Sequence, residues 1–138
     1  MGPTMDDQIF KITKDKERAR DLIVMAEERL EDIPSLSKDK PYKIIEEYYE
    51  IIKELITAIL LIDGYKTLSH KDLIDYLKEE YTKVTSHEIS ILDDLRILRN
   101  RVTYEDFFIE PSYLERNELL FKEVIQKLKK IIEKKLNE

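Results

Sequence analysis

The chain of 138 residues contains no cysteine and only two glycines, Gly2 and Gly64. Without cysteine there is no disulfide framework, no thiol nucleophile and no cysteine-ligated zinc or iron–sulfur site. Two isolated glycines also exclude the glycine-rich loops that hold phosphate in P-loop and dinucleotide-binding proteins. We therefore expect helices, rather than strands joined by tight turns, to supply the architecture.

The sequence also lacks long apolar runs and an excess of positive charge. Its longest apolar run, Ala58 to Ile62, is five residues long, whereas a bilayer core requires roughly 20. Acidic Asp6 and Asp7 lie where a signal peptide would be basic. The formal net charge of −6 disfavours a globally basic nucleic-acid binder but allows a local basic patch. We expect a cytoplasmic protein that has no membrane segment, no metal site and no cofactor.

What the sequence does contain is a regular apolar periodicity. Hydrophobic residues make up 42% of the chain, enough for one core, so we predict a single domain over 1–138 with its core at about 8–134. Apolar spacings of three and four residues predict long helices at about 7–33, 41–63, 85–103 and 112–138, and a short one at about 70–81. This pattern predicts an all-α fold, an up-and-down four-helix bundle with one short extra helix between the second and third long helices.

Residues at the helix boundaries support these limits. Pro41 suits the first turn of the second helix, and Gly64 suits its C-terminal stop. Because the apolar arc of this helix is wider than one stripe, we expect it to be central. At three other helix starts a Ser or Thr is followed three residues later by an acid, as in a capping box: Ser69 with Asp72, Thr85 with Glu88, and Ser112 with Glu115.

The sequence supports neither a metal site nor a base-stacking surface on these helices. The only histidines, His70 and His87, have no glutamate three residues before them, so the Glu-x-x-His motif of di-metal bundles is missing. Both lie at predicted helix starts, where we expect exposed residues remote from the end of the third long helix. We interpret Tyr42, Tyr48 and Tyr49 as core packing rather than a base-stacking platform, because the neighbouring glutamates would oppose a nucleic acid.

A cluster of basic and polar residues lies at the end of the third long helix. On a helical wheel, Arg96, Arg99, Asn100 and Thr103 share one arc, and Arg101 adds a third arginine. Such a cluster can hold phosphate bidentately. On charge alone we favour the alternative, a solvated face on which the arginines pair with acids nearby in the sequence. Those acids are Asp93, Asp94, Glu105 and Asp106.

The segment from Leu95 to Tyr104 resembles the HEPN family, the "higher eukaryotes and prokaryotes nucleotide-binding" domains. The likeness extends to residues 62–66 and 69–73 and spans about 8–134. In that family an arginine, often followed by a polar residue such as asparagine, is separated from a histidine by four to six residues. The motif lies at a homodimer interface, where two copies form a metal-independent ribonuclease site. Arg99 and Asn100 match its first two positions, whereas Tyr104 occupies the position of the histidine.

The tyrosine changes the chemistry that the resemblance implies. An unperturbed tyrosine has a pKa near 10 and is a poor general base at neutral pH, whereas histidine has a pKa of about 6.5. Moreover, Arg99 and Tyr104 are about 140° apart on an ideal helix. They converge only if the helix ends near Thr103 or if the pocket is shared across a two-fold axis.

The resemblance leads to two functional hypotheses. In the favoured one, the protein is a homodimeric HEPN-like domain with a binding or regulatory role. It holds an RNA phosphate or nucleotide without cutting it, or pairs with a nucleotidyltransferase protein as in toxin–antitoxin pairs. Its binding residues would be Arg96, Arg99, Asn100, Arg101, Thr103 and Tyr104. In the alternative, a toxin-type ribonuclease, Arg99 stabilises the phosphorane, Asn100 orients the phosphate and Tyr104 donates a hydrogen bond or proton. A third possibility is a non-catalytic helical interaction module.

Overall fold

The computed structural model describes residues 9–105 and 108–138, which contain five α-helices and two short strands. In chain order these are β1 (Ile9–Lys11), α1 (Lys16–Asp32), α2 (Pro41–Asp63), β2 (Tyr65–Thr67), α3 (His70–Glu80), α4 (Ser86–Glu105) and α5 (Pro111–Leu136). A single 3-10 turn, Ile33–Ser35, follows α1. The predicted all-α bundle with a short extra helix is therefore confirmed. Within the described ranges, every helix is too short or too polar to cross a membrane.

Helix α2 is the centre of the bundle, as its wide apolar arc predicts. It contacts all four other helices, α1 and α5 most extensively. Its buried residues include two of the three tyrosines that the sequence assigned to the core, Tyr48 and Tyr49. The prediction is wrong for Tyr42, which lies in the first turn of α2 and is 41% exposed. The Tyr48 hydroxyl is satisfied inside the bundle, because it donates to Glu118 on α5 over 2.6 Å. A helix that is apolar around most of its circumference must pack against neighbours on most sides, and the other four helices surround α2 in this way.

The first helix begins later than predicted because a strand precedes it. Residues 9–11 form β1, which pairs antiparallel with β2 so that Ile9 lies opposite Thr67. Helix α1 starts only at Lys16, where the Asp15 carboxylate accepts from the backbone N–H of Arg18 over 3.0 Å. The predicted start at about residue 7 is therefore wrong for residues 9–15, while residues 7 and 8 lie outside the described ranges.

Gly64 ends α2 in the left-handed conformation, with φ of 90°. This confirms the predicted stop, because a residue with a side chain adopts that conformation only at a cost. The Gly64 carbonyl also accepts from the backbone N–H of Ile12 over 2.9 Å. The turn thereby anchors the segment that joins β1 to α1.

Of the three predicted capping boxes, Thr85 with Glu88 forms completely, whereas Ser69 with Asp72 forms only in part, because the backbone N–H of Ser69 donates to Oγ1 of Thr67. Thr85 and Glu88 exchange hydrogen bonds of 2.9 and 3.1 Å at the start of α4, and Ser69 accepts from the backbone N–H of Asp72 over 3.5 Å. The box at Ser112 and Glu115 is wrong, because α5 already starts at Pro111 and places Ser112 inside its first turn. Proline has no N–H to be capped and a φ suited to the first helical position.

Candidate functional site

The polar residues near the end of α4 do not all face the same way. The side chains of Arg96 and Arg99 are only 17% and 20% exposed, and Asn100 is half-buried. Arg101 and Thr103 are exposed, and Tyr104 is 76% exposed. The predicted binding residues thus divide into a group turned toward the bundle and a group on its surface.

Arg99 reaches from α4 to the middle of α2. Its guanidinium carbon lies 5.4 Å from the ring centroid of Tyr49, and its Nη2 lies 3.7 Å from Oε1 of Glu50. Its Nη1 donates to Oδ1 of Asn100 over 3.5 Å. Both polar contacts are at the long limit for a guanidinium, which carries five N–H donors. Arg99 is therefore held in place but retains donors for an anionic oxygen.

Arg96 is bound more tightly to its own helix. Its Nε donates to Oδ1 of Asp93 over 3.0 Å, and its Nη2 lies 2.9 Å from the same oxygen. The predicted pairing with an acid nearby in the sequence therefore holds for Arg96, although its side chain is not solvated. It does not hold for Arg99, whose carboxylate partner is Glu50 on another helix. The expected pairing with Asp106 lies outside the described residues.

Tyr49 supplies the floor of this site. It is 4% exposed, and burial raises the pKa of its hydroxyl to about 12, although Arg99 and Arg96 oppose that shift. The phenol therefore stays neutral at physiological pH. Its ring offers a flat apolar surface and an attractive face for the guanidinium of Arg99.

His70 belongs to the same cluster, contrary to the prediction that it is an exposed residue remote from Arg99. It opens α3, is half-buried, and packs its ring on Tyr49 with centroids 5.6 Å apart. Burial lowers its pKa, and nearby cations lower it further against one opposing carboxylate. The charged groups around it are Lys53 and Glu50 on α2, and Arg96 and Arg99 on α4. His87, in contrast, is exposed as predicted.

The topology explains why the prediction for His70 fails. The turn at Gly64 and the short strand β2 return the chain alongside α2, so that α3 packs on both α2 and α4. The start of α3 is thereby brought close to the second half of α4, although about 30 residues separate them in sequence. One signal was present, since His70 lies within the segment 69–73 that resembles the HEPN family.

Tyr104 does not join this cluster through an early helix end. Helix α4 continues through Glu105, so Tyr104 stays on the helix about 140° around from Arg99. Of the two routes by which these residues could converge, the one that requires the helix to end near Thr103 is closed. The route through a two-fold axis stays a prediction.

The sequence profile described as "HEPN domain" matches residues 19–138. The chain belongs to the HEPN family. The matched region contains all of α2 through α5 and hence Tyr49, His70 and Arg99. Neither the curated proteins nor the solved structures give a significant match. At the level of the family, membership supports a nucleotide- or RNA-related or regulatory role.

Proposed function

We propose that this HEPN domain binds an RNA or nucleotide phosphate with Arg99 and Asn100, as a homodimer and without cutting the ligand. The observation that carries the proposal is the environment of Arg99. Its half-buried guanidinium rests on the ring of Tyr49, and within residues 9–105 and 108–138 it makes two polar contacts, both long. A guanidinium in such a partly desolvated position binds phosphate oxygens more strongly than one in bulk water. Arg96 adds positive charge beside it.

The outer surface of α4 supports the homodimer. A cavity of about 280 Å³ between α4 and α5 has an apolar wall that includes Ile97 and Leu98. Ile97 is 44% exposed, and Tyr104 and Phe108 nearby in sequence are about three-quarters exposed. An apolar surface of this kind favours burial against a partner. A second copy is the partner that suits the charges best.

This surface carries charges of both signs that could pair with those of a second copy. Asp94 and Arg101 both line the cavity, two helical turns apart, with Ile97 and Leu98 between them. If two α4 helices pack antiparallel about a two-fold axis near Ile97, Arg101 of each copy lies opposite Asp94 of the partner subunit. Such reciprocal pairing is what an isologous interface requires. It would also bring Tyr104 of each copy toward the second subunit, as the family's dimeric site implies.

The binding test uses a fluorescein-labelled single-stranded RNA of about eight nucleotides and fluorescence anisotropy. Loss of a charged hydrogen bond costs about 1.5–3 kcal/mol, so Arg99→Ala should weaken binding roughly 10- to 150-fold. Arg20→Ala, which removes an exposed arginine of α1, is the matched control and should leave affinity unchanged. Light scattering should give a dimer for all three proteins. Equal affinity of the Arg99 and Arg20 variants, or a monomeric wild type, would refute the proposal.

A metal-independent ribonuclease is the second candidate, and the position of His70 favours it. In this reaction the RNA 2′-hydroxyl attacks the adjacent phosphorus, the bond to the 5′-oxygen breaks, and a 2′,3′-cyclic phosphate and a free 5′-hydroxyl result. Arg99 would stabilise the phosphorane and Asn100 would orient the phosphate. His70, rather than Tyr104, would take the proton from the 2′-hydroxyl, because its lowered pKa favours the neutral imidazole. The imidazolium formed in that step would then return the proton to the leaving 5′-oxygen.

Cleavage is tested by incubating the labelled RNA in EDTA and separating the products by electrophoresis. The two histidines provide a matched pair, since each is near the start of a helix but only His70 lies near Arg99. Products ending in a cyclic phosphate that disappear in His70→Gln but persist in His87→Gln would establish the ribonuclease and overturn the binding-only proposal. Intact RNA with the wild-type protein keeps binding as the function.

A further inference from the structure

A cavity of about 640 Å³ is lined in part by His70. It is bounded by strand β2, the segment that joins β1 to α1, the start of α1, the second half of α2 and the start of α3. Its volume is in the range of pockets that hold small molecules and exceeds what a single phosphate needs. The space is large enough for a nucleotide.

The walls of this cavity are more basic than the rest of the protein. Arg18, Lys53 and Lys66 line it together with His70, whereas Asp15 is its only carboxylate among the described residues. The side chains of Arg18 and Lys66 are exposed and form no ion pair within the described part of the chain. On a chain with net charge −6, three permanent cations beside one carboxylate make a local site that attracts anions.

The Asp15 carboxylate is already engaged in the fold. It accepts from the backbone N–H of Arg18 over 3.0 Å and caps α1. Lys53 is also partnered, since its Nζ lies 2.6 Å from Glu50. Among the described residues, Arg18 and Lys66 are therefore the cavity cations that form no ion pair, and they are the residues that a test should change.

Apolar residues form much of the remaining wall, beside the hydroxyl groups of Thr57, Thr67 and Ser69. Leu61 and Leu73 form part of the inner surface, and Leu68 is 67% exposed at the mouth beside Lys66. A cavity that combines an apolar surface with cations at its edge fits a ligand with the same two parts. A nucleotide has them, since its base is flat and largely apolar on its faces and its phosphate is anionic.

His70 connects this cavity to the Arg99 site. One part of its ring packs on Tyr49, which also contacts Arg99, and the residue lines the cavity as well. The two cation groups on either side are Lys53 and Arg99, and both act on the pKa of His70. The two sites are therefore neighbours that share one side chain.

We propose that this cavity, lined by Arg18, Lys66 and His70, binds a second nucleotide of the RNA strand whose neighbouring phosphate is held by Arg99. The proposal rests on the proposed function for the identity of the strand. It adds a site on a different part of the fold, where the start of α1 and strand β2 meet α2 and α3.

The test compares two double variants that remove the same charge. Arg18→Gln with Lys66→Gln changes the cavity, whereas Arg20→Gln with Lys78→Gln removes two exposed cations that do not line it. Affinity for the labelled RNA of about eight nucleotides is measured by anisotropy as a function of salt. Each lost phosphate contact to a single strand lowers the slope of log K against log salt by about 0.7, equivalent to about five-fold in affinity at 0.1 M salt.

We expect the cavity double variant to lose up to about 25-fold in affinity and up to about 1.4 in slope, and the control double variant to match the wild type. Circular dichroism should give the same helical spectrum for all of them, because the four changed side chains are exposed. Equal affinity of the two double variants would overturn the cavity site. If Arg99→Ala still weakens binding in that case, the proposed function stands and only the second site fails.

The opposite result separates the two proposals in the other direction. If the cavity variant loses affinity while Arg99→Ala does not, the proposed function fails and the inference that the strand continues from Arg99 fails with it. Adenosine monophosphate provides a second measurement on the unaltered protein. It should shift the imidazole NMR signals of His70 and not those of His87, and an unshifted His70 at saturating adenosine monophosphate would also refute the cavity site.

Discussion

Asp63 connects three helices, and its removal should destabilise the fold measurably. Its carboxylate lies in the last turn of α2 and is 15% exposed. One oxygen accepts from the Tyr76 hydroxyl over 2.7 Å and from the Tyr81 hydroxyl, and the other lies 2.7 Å from Nζ of Lys135. Burial and the bond to Asp63 raise the pKa of both phenols above their usual value of about 10. Both therefore remain donors throughout the working pH range.

The expected cost of Asp63→Ala follows from these contacts. A hydrogen bond to a charged group contributes about 1.5–3 kcal/mol, and a buried hydroxyl left without a partner costs about 1–3 kcal/mol. Tyr76 is 2% exposed, so water cannot fully replace its acceptor. Because such terms are not additive and Asp63 is partly solvated, we expect a loss of about 3 kcal/mol in the free energy of unfolding. For a chain of this size that lowers Tm by roughly 10 °C.

Thermal and urea denaturation monitored by circular dichroism measure this loss. Asp75→Ala is the control, since Asp75 on α3 forms only a 3.7 Å ion pair with Lys71 at the surface, and its removal should cost less than about 0.5 kcal/mol. Asp63→Asn should lie between the two, because an amide can still accept a phenol hydrogen bond but loses the charge opposite Lys135. If Asp63→Ala costs no more than Asp75→Ala, the reasoning that this carboxylate anchors α3 and α5 to α2 is refuted.

Two further predictions concern the ends of α2 and α3. Gly64→Ala should lower the free energy of unfolding by about 2 kcal/mol, because an alanine there would have φ of +90° and its Cβ would lie 3.1 Å from the Ile12 carbonyl oxygen. Urea denaturation measures this loss, and an unchanged midpoint would contradict the prediction. The folded state lowers the pKa of His70. Between about pH 6.5 and that lowered pKa the unfolded chain therefore binds more protons than the folded one, and the free energy of unfolding should decrease as the pH falls through this range. His70→Gln should reduce that fall relative to wild type and His87→Gln should not; denaturation at pH 7 and pH 5 tests this, and identical pH profiles for the two variants would exclude it.

The sequence predicts the helices well because their signals are local. The limits of α2 agree with the predicted 41–63, since a proline starts the helix and a glycine ends it. Strand β1 was missed because it has three residues and pairs with a strand more than 50 residues away. Its stability comes from that pairing and not from any pattern within it.

The candidate site was predictable only where its residues belong to one helix. Periodicity places Arg96, Arg99 and Asn100 on one arc of α4, and the structure keeps them together beside α2. The floor formed by Tyr49 and the neighbouring His70 comes from other helices, and a single sequence does not contain the packing that brings helices together. Tyr49 was correctly predicted to be buried, but burial alone does not reveal which charged groups rest on it.

Few residues of α4 are buried, and this affects how ligand binding can be observed. Of its 20 residues only Leu92 and Leu95 are fully buried, whereas α2 is buried along most of its length. Local opening is easiest where few apolar contacts must be broken. Backbone amides of α4 should therefore take up deuterium sooner than those of α2, and any molecule that covers α4 should slow that uptake, which makes isotope exchange a direct report of occupancy before the ligand is identified.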